Sequence, residues 1–220
     1  MNSFFIVGTI SSLDTLRDLA EHPSKLEGCD VVELRFDEYM DLNEAKSLAR
    51  EVGQHRPILI TVRTNKEGGT WQIDDAHRFE FFKEFFEIAT YADIELKSDL
   101  FAYQKRSDFP EKMTVISSFH NYDQCPSETE MADLIKQGED WGVDIVKLAV
   151  FCNEEADRTT LENVLTSHPS SSLALMGMGP EGLETRFTLP KLGSKFTYGF
   201  LDKPAAPGQP SCRALAQKLK

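Results

Sequence analysis

Short apolar, β-branched runs recur along the chain, separated by stretches whose apolar residues fall at helical spacing. The runs are FFIVGTI (4–10), DVVELRF (30–36), PILITVR (57–63), YADIEL (91–96), MTVISSF (113–119), VDIVKLAV (143–150), SLALMGM (172–178) and KFTYGFL (195–201). Each has the length and side-chain type of a strand buried on both faces. They start about every 27 residues, the span of one strand–loop–helix unit. Between them, DLNEAKSLAREV (41–52) opens with Asp41 as a cap and Glu44 three residues on. SETEMADLIKQGEDWG (127–142) holds Ser127 and Glu130 in capping-box register and closes on Gly142. DDAHRFEFFKEFFEIAT (74–90) predicts a helix with an apolar stripe at Phe79, Phe82, Phe86 and Ala89. SDLFAYQKRSDF (98–109) has the weakest helical pattern. No linker or low-complexity tract divides the chain, so residues 1–220 are expected to form one domain. Eight such units predict an α/β fold, a single (β/α)8 TIM barrel; an open doubly wound sheet shares the same local pattern.

In a barrel enzyme the working side chains stand at the carboxyl ends of the strands. Period-two alternation places Glu33, Arg35 and Asp37 on one face of the second run, with Val32, Leu34 and Phe36 on the other. The third run ends at Arg63 and leads to Glu67 before two glycines; the fourth carries Asp93 and Glu95 in phase. Ser118 and His120 are in phase at the end of the fifth, and Lys147 shares a face with Ile145 and Ala149 in the sixth. Met176 and Met178 end the seventh, Arg186 follows it, and a Pro/Gly-rich stretch ending at Gln209 follows the eighth. Each residue alone has an ordinary explanation. Lys147 reads as a snorkelling strand-end residue, His120 as a satisfied histidine, Glu33 with Arg35 as an internal ion pair, and Met176 and Met178 as packing. Asp93 and Glu95 read as holders of the positive groups. Their recurrence at one end of most of the strands outweighs these separate explanations, because structural accidents would scatter between both ends.

Composition narrows the field. A net charge of −12 disfavours nucleic acid, although converging arginines can still hold a small anion. No apolar run approaches the ~18 residues of a membrane span, and the amino terminus lacks the basic region of a signal peptide. Cys29, Cys125, Cys152 and Cys212 are widely spaced, as expected of reduced thiols in a cytosolic protein rather than of a disulfide framework or zinc site. The five histidines have no metal-ligand spacing, so no catalytic metal is expected. GMGPEG (177–182) matches a dinucleotide fingerprint with Asp202 downstream, but it comes late in the chain and contains Pro180, and is expected to be a tight loop.

A lysine held among arginines and partly out of water gives up its proton more readily than a free amine, and can then form an imine with a ketone. The imine acidifies the neighbouring C–H, and a histidine is suited to take that proton and return it to a leaving hydroxyl. Arginines offer forked donors for a carboxylate, and Glu33, Glu67 and Gln209 can orient hydroxyls. The residues therefore fit imine chemistry on a small hydroxylated keto acid, leaving dehydratase, aldolase and a non-catalytic acid-binding barrel as alternatives.

ELR followed by Asp, TVRTNKEGG, ISSFHNYDQCPS, DIVKLAV, MGMGPEGLETRF and PAAPGQ together resemble, in order and over essentially the whole chain, the type I 3-dehydroquinate dehydratase family of the shikimate pathway. The resemblance implies a (β/α)8 barrel that dehydrates 3-dehydroquinate to 3-dehydroshikimate without metal or cofactor. It implies an imine on Lys147, proton transfer by His120 with Glu67 assisting, and carboxylate binding by Arg186. Glu33, Arg35, Arg63 and Gln209 would hold hydroxyls and carboxylate, with Met176 and Met178 as the apolar wall. A homodimer and a fusion to shikimate dehydrogenase are both compatible with the resemblance, and the spacing of the cysteines leads to the expectation of a cytoplasmic enzyme. The chain departs from the family at Ala205, where serine is frequent in the closing loop, and at Thr185, where serine is frequent before Arg186.

Overall fold

The computed structural model describes residues 4–38, 41–204 and 209–220. Eight strands lie at the predicted places: β1 (Phe5–Ile10), β2 (Val31–Arg35), β3 (Ile58–Thr61), β4 (Tyr91–Glu95), β5 (Thr114–Asn121), β6 (Ile145–Phe151), β7 (Leu173–Met178) and β8 (Phe196–Phe200). The helices are α1 (Leu13–Glu21), α2 (Leu42–Gly53), α3 (Asp75–Lys83), α4 (Leu100–Tyr103), α5 (Glu128–Trp141), α6 (Glu155–Ser167), α7 (Gly182–Leu192) and α8 (Cys212–Leu219). All neighbouring strands run parallel, in the order β7-β6-β5-β4-β3-β2-β1-β8. At the remaining seam, between β7 and β8, Lys195 N donates to the Leu173 carbonyl at 2.7 Å. The architecture is the (β/α)8 barrel expected from the strand spacing.

Alternation along each strand decides what lies inside. Val32, Leu34 and Phe36 point outward and are buried under helices, in one cluster with Leu16, Ala45, Val52, Phe82 and Leu215. A second cluster joins the outer faces of β5, β6 and β7 to Met131, Ile135, Leu161, Val164 and Leu189. Inside the barrel, Val7, Val31, Leu59, Ile116, Ala174 and Phe196 fill the space with apolar side chains. The ionisable positions named above lie beyond this plug, towards the carboxyl ends.

The caps follow the sequence signals. Asp41 accepts from Glu44 N at 3.0 Å, and Ser127 and Glu130 bond reciprocally at the start of α5. Two predictions need correction. The helix predicted over 74–90 ends at Lys83. Past that point the backbone tightens into i→i+3 turns, with Phe85 N donating to the Phe82 carbonyl at 3.0 Å and Phe86 N to the Lys83 carbonyl at 3.2 Å, while Phe85 packs on Phe36 and Phe86 on Phe109. The segment after β4 forms a single α turn and a single 3-10 turn. Trp141 Nε1 donates to the Phe101 and Gln104 carbonyls, and Lys105 N donates to Asp108, so a continuing helix loses its partners.

GMGPEG is the close turn from β7 into α7. A Cβ on Gly182 would stand 2.5 Å from the Gly177 carbonyl carbon, and Gly179 has φ +80°, so backbone contact accounts for these glycines. Gly182→Ala should therefore push α7 from β7, costing about 1–3 kcal/mol and lowering Tm by roughly 2–10 °C. Thermal unfolding followed by circular dichroism checks this; an unchanged Tm would contradict it.

Candidate active site

At one height in the barrel, the even-numbered strands each send one side chain to the axis: Glu33, Asp93, Lys147 and Tyr198. Four side chains from alternate strands make one layer of such a barrel. Here the layer is polar, and its charges are bonded. Lys147 is 4% exposed; its Nζ donates to Asp93 Oδ2 at 2.8 Å and lies 4.3 Å from the centre of the Tyr198 ring. Asp93 Oδ1 accepts from Arg63 at 3.0 Å and from the Ser118 hydroxyl. Arg63 also donates to Glu95 at 3.0 Å and to Ser118 at 2.7 Å, and Glu95 accepts from the wholly buried Arg78. Burial opposes the charge on Asp93, but Arg63 and Lys147 overcome it and hold the carboxyl well below the usual range. Asp93 and Glu95 thus hold positive groups, as their phase indicated.

Two pairings differ from the simplest reading of the strand ends. Glu33 does not pair with Arg35; it accepts from the hydroxyls of Thr9 (2.7 Å) and Thr61 (2.9 Å). Arg35 instead grips Asp37 with two bonds, of 2.9 and 2.7 Å. The Arg63 fork, expected to face a ligand carboxylate, is engaged by Asp93, Glu95 and Ser118, although the residue still borders the cavity.

Glu67 reaches the site from a short turn after β3. Gly69 follows it, and a Cβ there would lie 1.9 Å from the Arg63 carbonyl oxygen, so the loop folds back only with glycine at that place. Glu67 Oε2 accepts from His120 N at 2.9 Å and lies 2.8 Å from His120 Nδ1. Because that oxygen already faces one N–H donor, Nδ1 is assigned the ring proton, leaving the Nε2 lone pair free. Burial, then Arg63 and Lys147, hold the His120 pKa well below 6.5, so the ring is neutral. Burial pushes the Glu67 carboxyl up to about 7 against the pull of Arg63.

Lys147 and His120 open on one cavity. Glu33, Arg35, Arg63 and Thr9 border its polar side, and Ala149, Met176 and Met178 its apolar side. Tyr122, Gln209, Arg186 and Tyr198 complete the lining, so the predicted site residues that are described come together around it, Glu67 standing behind His120. Ala205 lies outside the described residues. Arg186, 3% exposed, donates through Nη1 to the Tyr198 carbonyl at 3.0 Å, while its Nε is buried without a partner. No carboxylate among the described residues pairs with it, and burial pulls its pKa down to about 10. A buried cation without a counter-ion is costly, and an anionic ligand removes that cost. Ser118 stands in phase with His120 as expected, whereas Tyr198 and the hydroxyls of Thr9 and Thr61 escaped the reading of the sequence; period-two phase within their strands was the signal that could have found them.

The type I 3-dehydroquinase family model matches residues 4–220. A 3-dehydroquinate dehydratase of Methanocella arvoryzae is 31% identical over 203 residues, 88% of this chain and 87% of that one. The bifunctional 3-dehydroquinate dehydratase/shikimate dehydrogenase of Arabidopsis thaliana is 33% identical over 86% of this chain and 32% of its own length. The crystal structure of the 3-dehydroquinate dehydratase from Aquifex aeolicus superposes with a TM-score of 0.83 at 27% identity, covering 97% of this chain and 96% of that one. On the match over nearly its whole length, the chain belongs to the type I 3-dehydroquinase family.

Proposed function

We propose that the chain dehydrates 3-dehydroquinate to 3-dehydroshikimate through an imine on Lys147. The observation that carries this reading is the buried Lys147 amine beside a neutral His120, with the unpaired Arg186 on the same cavity wall. Arg186 takes the substrate carboxylate, which supplies the missing counter-ion and orients the ring. The ring ketone then meets Lys147, with Met176 and Met178 against the apolar face. Glu33, Arg35, Arg63 and Gln209 hold the hydroxyls or the charge around them.

The Lys147 nitrogen bonds the ketone carbon, two of its three ammonium hydrogens pass to the ketone oxygen, and that oxygen leaves as water to give the iminium. The iminium draws electrons from the adjacent C–H bond, and His120 Nε2 takes that proton. The resulting enamine expels the hydroxyl one carbon further on, which takes a proton from the His120 imidazolium and departs as water. Hydrolysis of the imine returns Lys147. The iminium is the electron sink, so the sequence draws on no separate cofactor. Glu67 as carboxylate stabilises the imidazolium that forms midway. A cytosolic setting, expected from the scattered cysteines, belongs to the same reading; all four are free thiols in the structure.

Incubation with 3-dehydroquinate should produce the absorbance of a conjugated enone, and folded protein that gives none would refute the dehydratase reading. Lys147→Ala should lower turnover by about a thousand-fold or more, and His120→Ala by roughly 10²–10⁴-fold. Near-normal turnover in either variant would remove that residue from the mechanism.

The pH profile tests Glu67 separately. With its carboxyl at about 7, Glu67 is ionised above that pH and protonated below it, so kcat/KM should fall as pH drops through about 7. His120, held neutral by burial, adds no inflection of its own there. Glu67→Gln should abolish this acid limb. A flat parental profile, or a limb that survives the substitution, would contradict the assignment.

A further inference from the structure

Among the described residues, two that line the cavity carry a buried donor with no acceptor: Arg186, at Nε, and Tyr198, at its hydroxyl. The other unsatisfied buried donors, Arg78 Nε and Ser117 Oγ, do not border it. Arg186 is accounted for by a carboxylate. Tyr198 calls for its own explanation, because a buried hydroxyl without a partner costs about 1–3 kcal/mol that phenylalanine would avoid.

Its surroundings narrow the explanation. Tyr198 is 4% exposed and sits in the same layer as Lys147, its ring centre 4.3 Å from Nζ. The hydroxyls of Thr9, Thr61 and Ser118 in this part of the barrel turn their protons to carboxylates, the first two to Glu33 and the third to Asp93, and none of them is a partner of Tyr198. Burial raises the Tyr198 pKa well above 10, and Glu33 and Asp93 add to the shift, so the group remains a donor at neutral pH. A ligand carbon that bonds Nζ must carry its oxygen into this layer.

We propose that the Tyr198 hydroxyl is a catalytic donor to the ketone oxygen of the substrate, acting on formation of the imine; this rests on the imine reading above. As Nζ bonds the carbonyl carbon, the π electron pair moves onto oxygen, and a hydrogen bond from Tyr198 stabilises the charge that develops there. From the ammonium form, two of the three amine hydrogens end on that oxygen, the C–O bond breaks, and water leaves. The phenol donates throughout and keeps its own proton. Arg186 and Tyr198 thereby divide the substrate: the first reads its carboxylate, the second its ketone.

The test is Tyr198→Phe, assayed with 3-dehydroquinate carrying either hydrogen or deuterium at the carbon that loses its proton. The variant should lose roughly ten-fold in kcat/KM, since one donor to a developing charge is removed. Slowed imine formation precedes the C–H step, so the isotope effect on kcat/KM should shrink towards unity relative to the parent. Tm should be unchanged or higher, because no satisfied hydrogen bond is lost. Unchanged kcat/KM, an isotope effect that stays the same or grows, or a lowered Tm would each overturn the role. Failure of the parent chain to form the enone would instead overturn the underlying reading, which keeps the two outcomes apart.

Discussion

The bond between Lys147 and Asp93 sets the terms for the rest of the site. An ammonium group on the axis of a barrel is tolerable only if a carboxylate meets it there, and a carboxylate that deeply buried needs further donors. Asp93 therefore also takes Arg63 and Ser118, Arg63 brings in Glu95, and Glu95 brings in Arg78. The chain of charges runs from the axis to Arg78 in α3 and ties β4, β5 and β6 to Arg63, just past β3. It also fixes the electrostatics of its neighbours. Burial, helped by Arg63 and Lys147, holds the His120 pKa down, while burial lifts that of Glu67.

Opposite this saturated network stands an unsaturated one. Arg186 and Tyr198 border the same cavity with donors that nothing in the described protein accepts. Active sites often carry such local destabilisation, since the groups that bind a transition state are left unpaired in its absence. The contrast between the two networks separates residues that build the site from residues that await a ligand. Arg63, at first sight another carboxylate receptor, belongs to the builders.

Much of this was legible in the sequence because a barrel strand has a period of two. Buried β-branched runs gave eight strands, and phase alone put Glu33, His120 and Lys147 on the inner face. Caps at Asp41 and Ser127 followed from short-range rules that tertiary packing did not disturb. What stayed hidden depends on partners distant in sequence. After Lys83 the chain passes from α3 into i→i+3 turns over Phe85 and Phe86, and Trp141 takes the carbonyls that would have extended α4. Phase could not tell whether Arg35 would choose Glu33 or Asp37, since that depends on Thr9 and Thr61 reaching Glu33 first. Tyr198 was missed because a tyrosine in an apolar strand looks like core until its hydroxyl is found without a partner.

The central claim is that the buried amine of Lys147, released from Asp93, becomes the nucleophile. Reduction with borohydride during turnover, followed by intact-mass measurement and peptide mapping, tests it most directly. A stable adduct of one substrate-derived moiety per chain, located on Lys147 and absent without substrate, is the result the account predicts. Turnover that proceeds with no adduct, or with an adduct on another lysine, would contradict it.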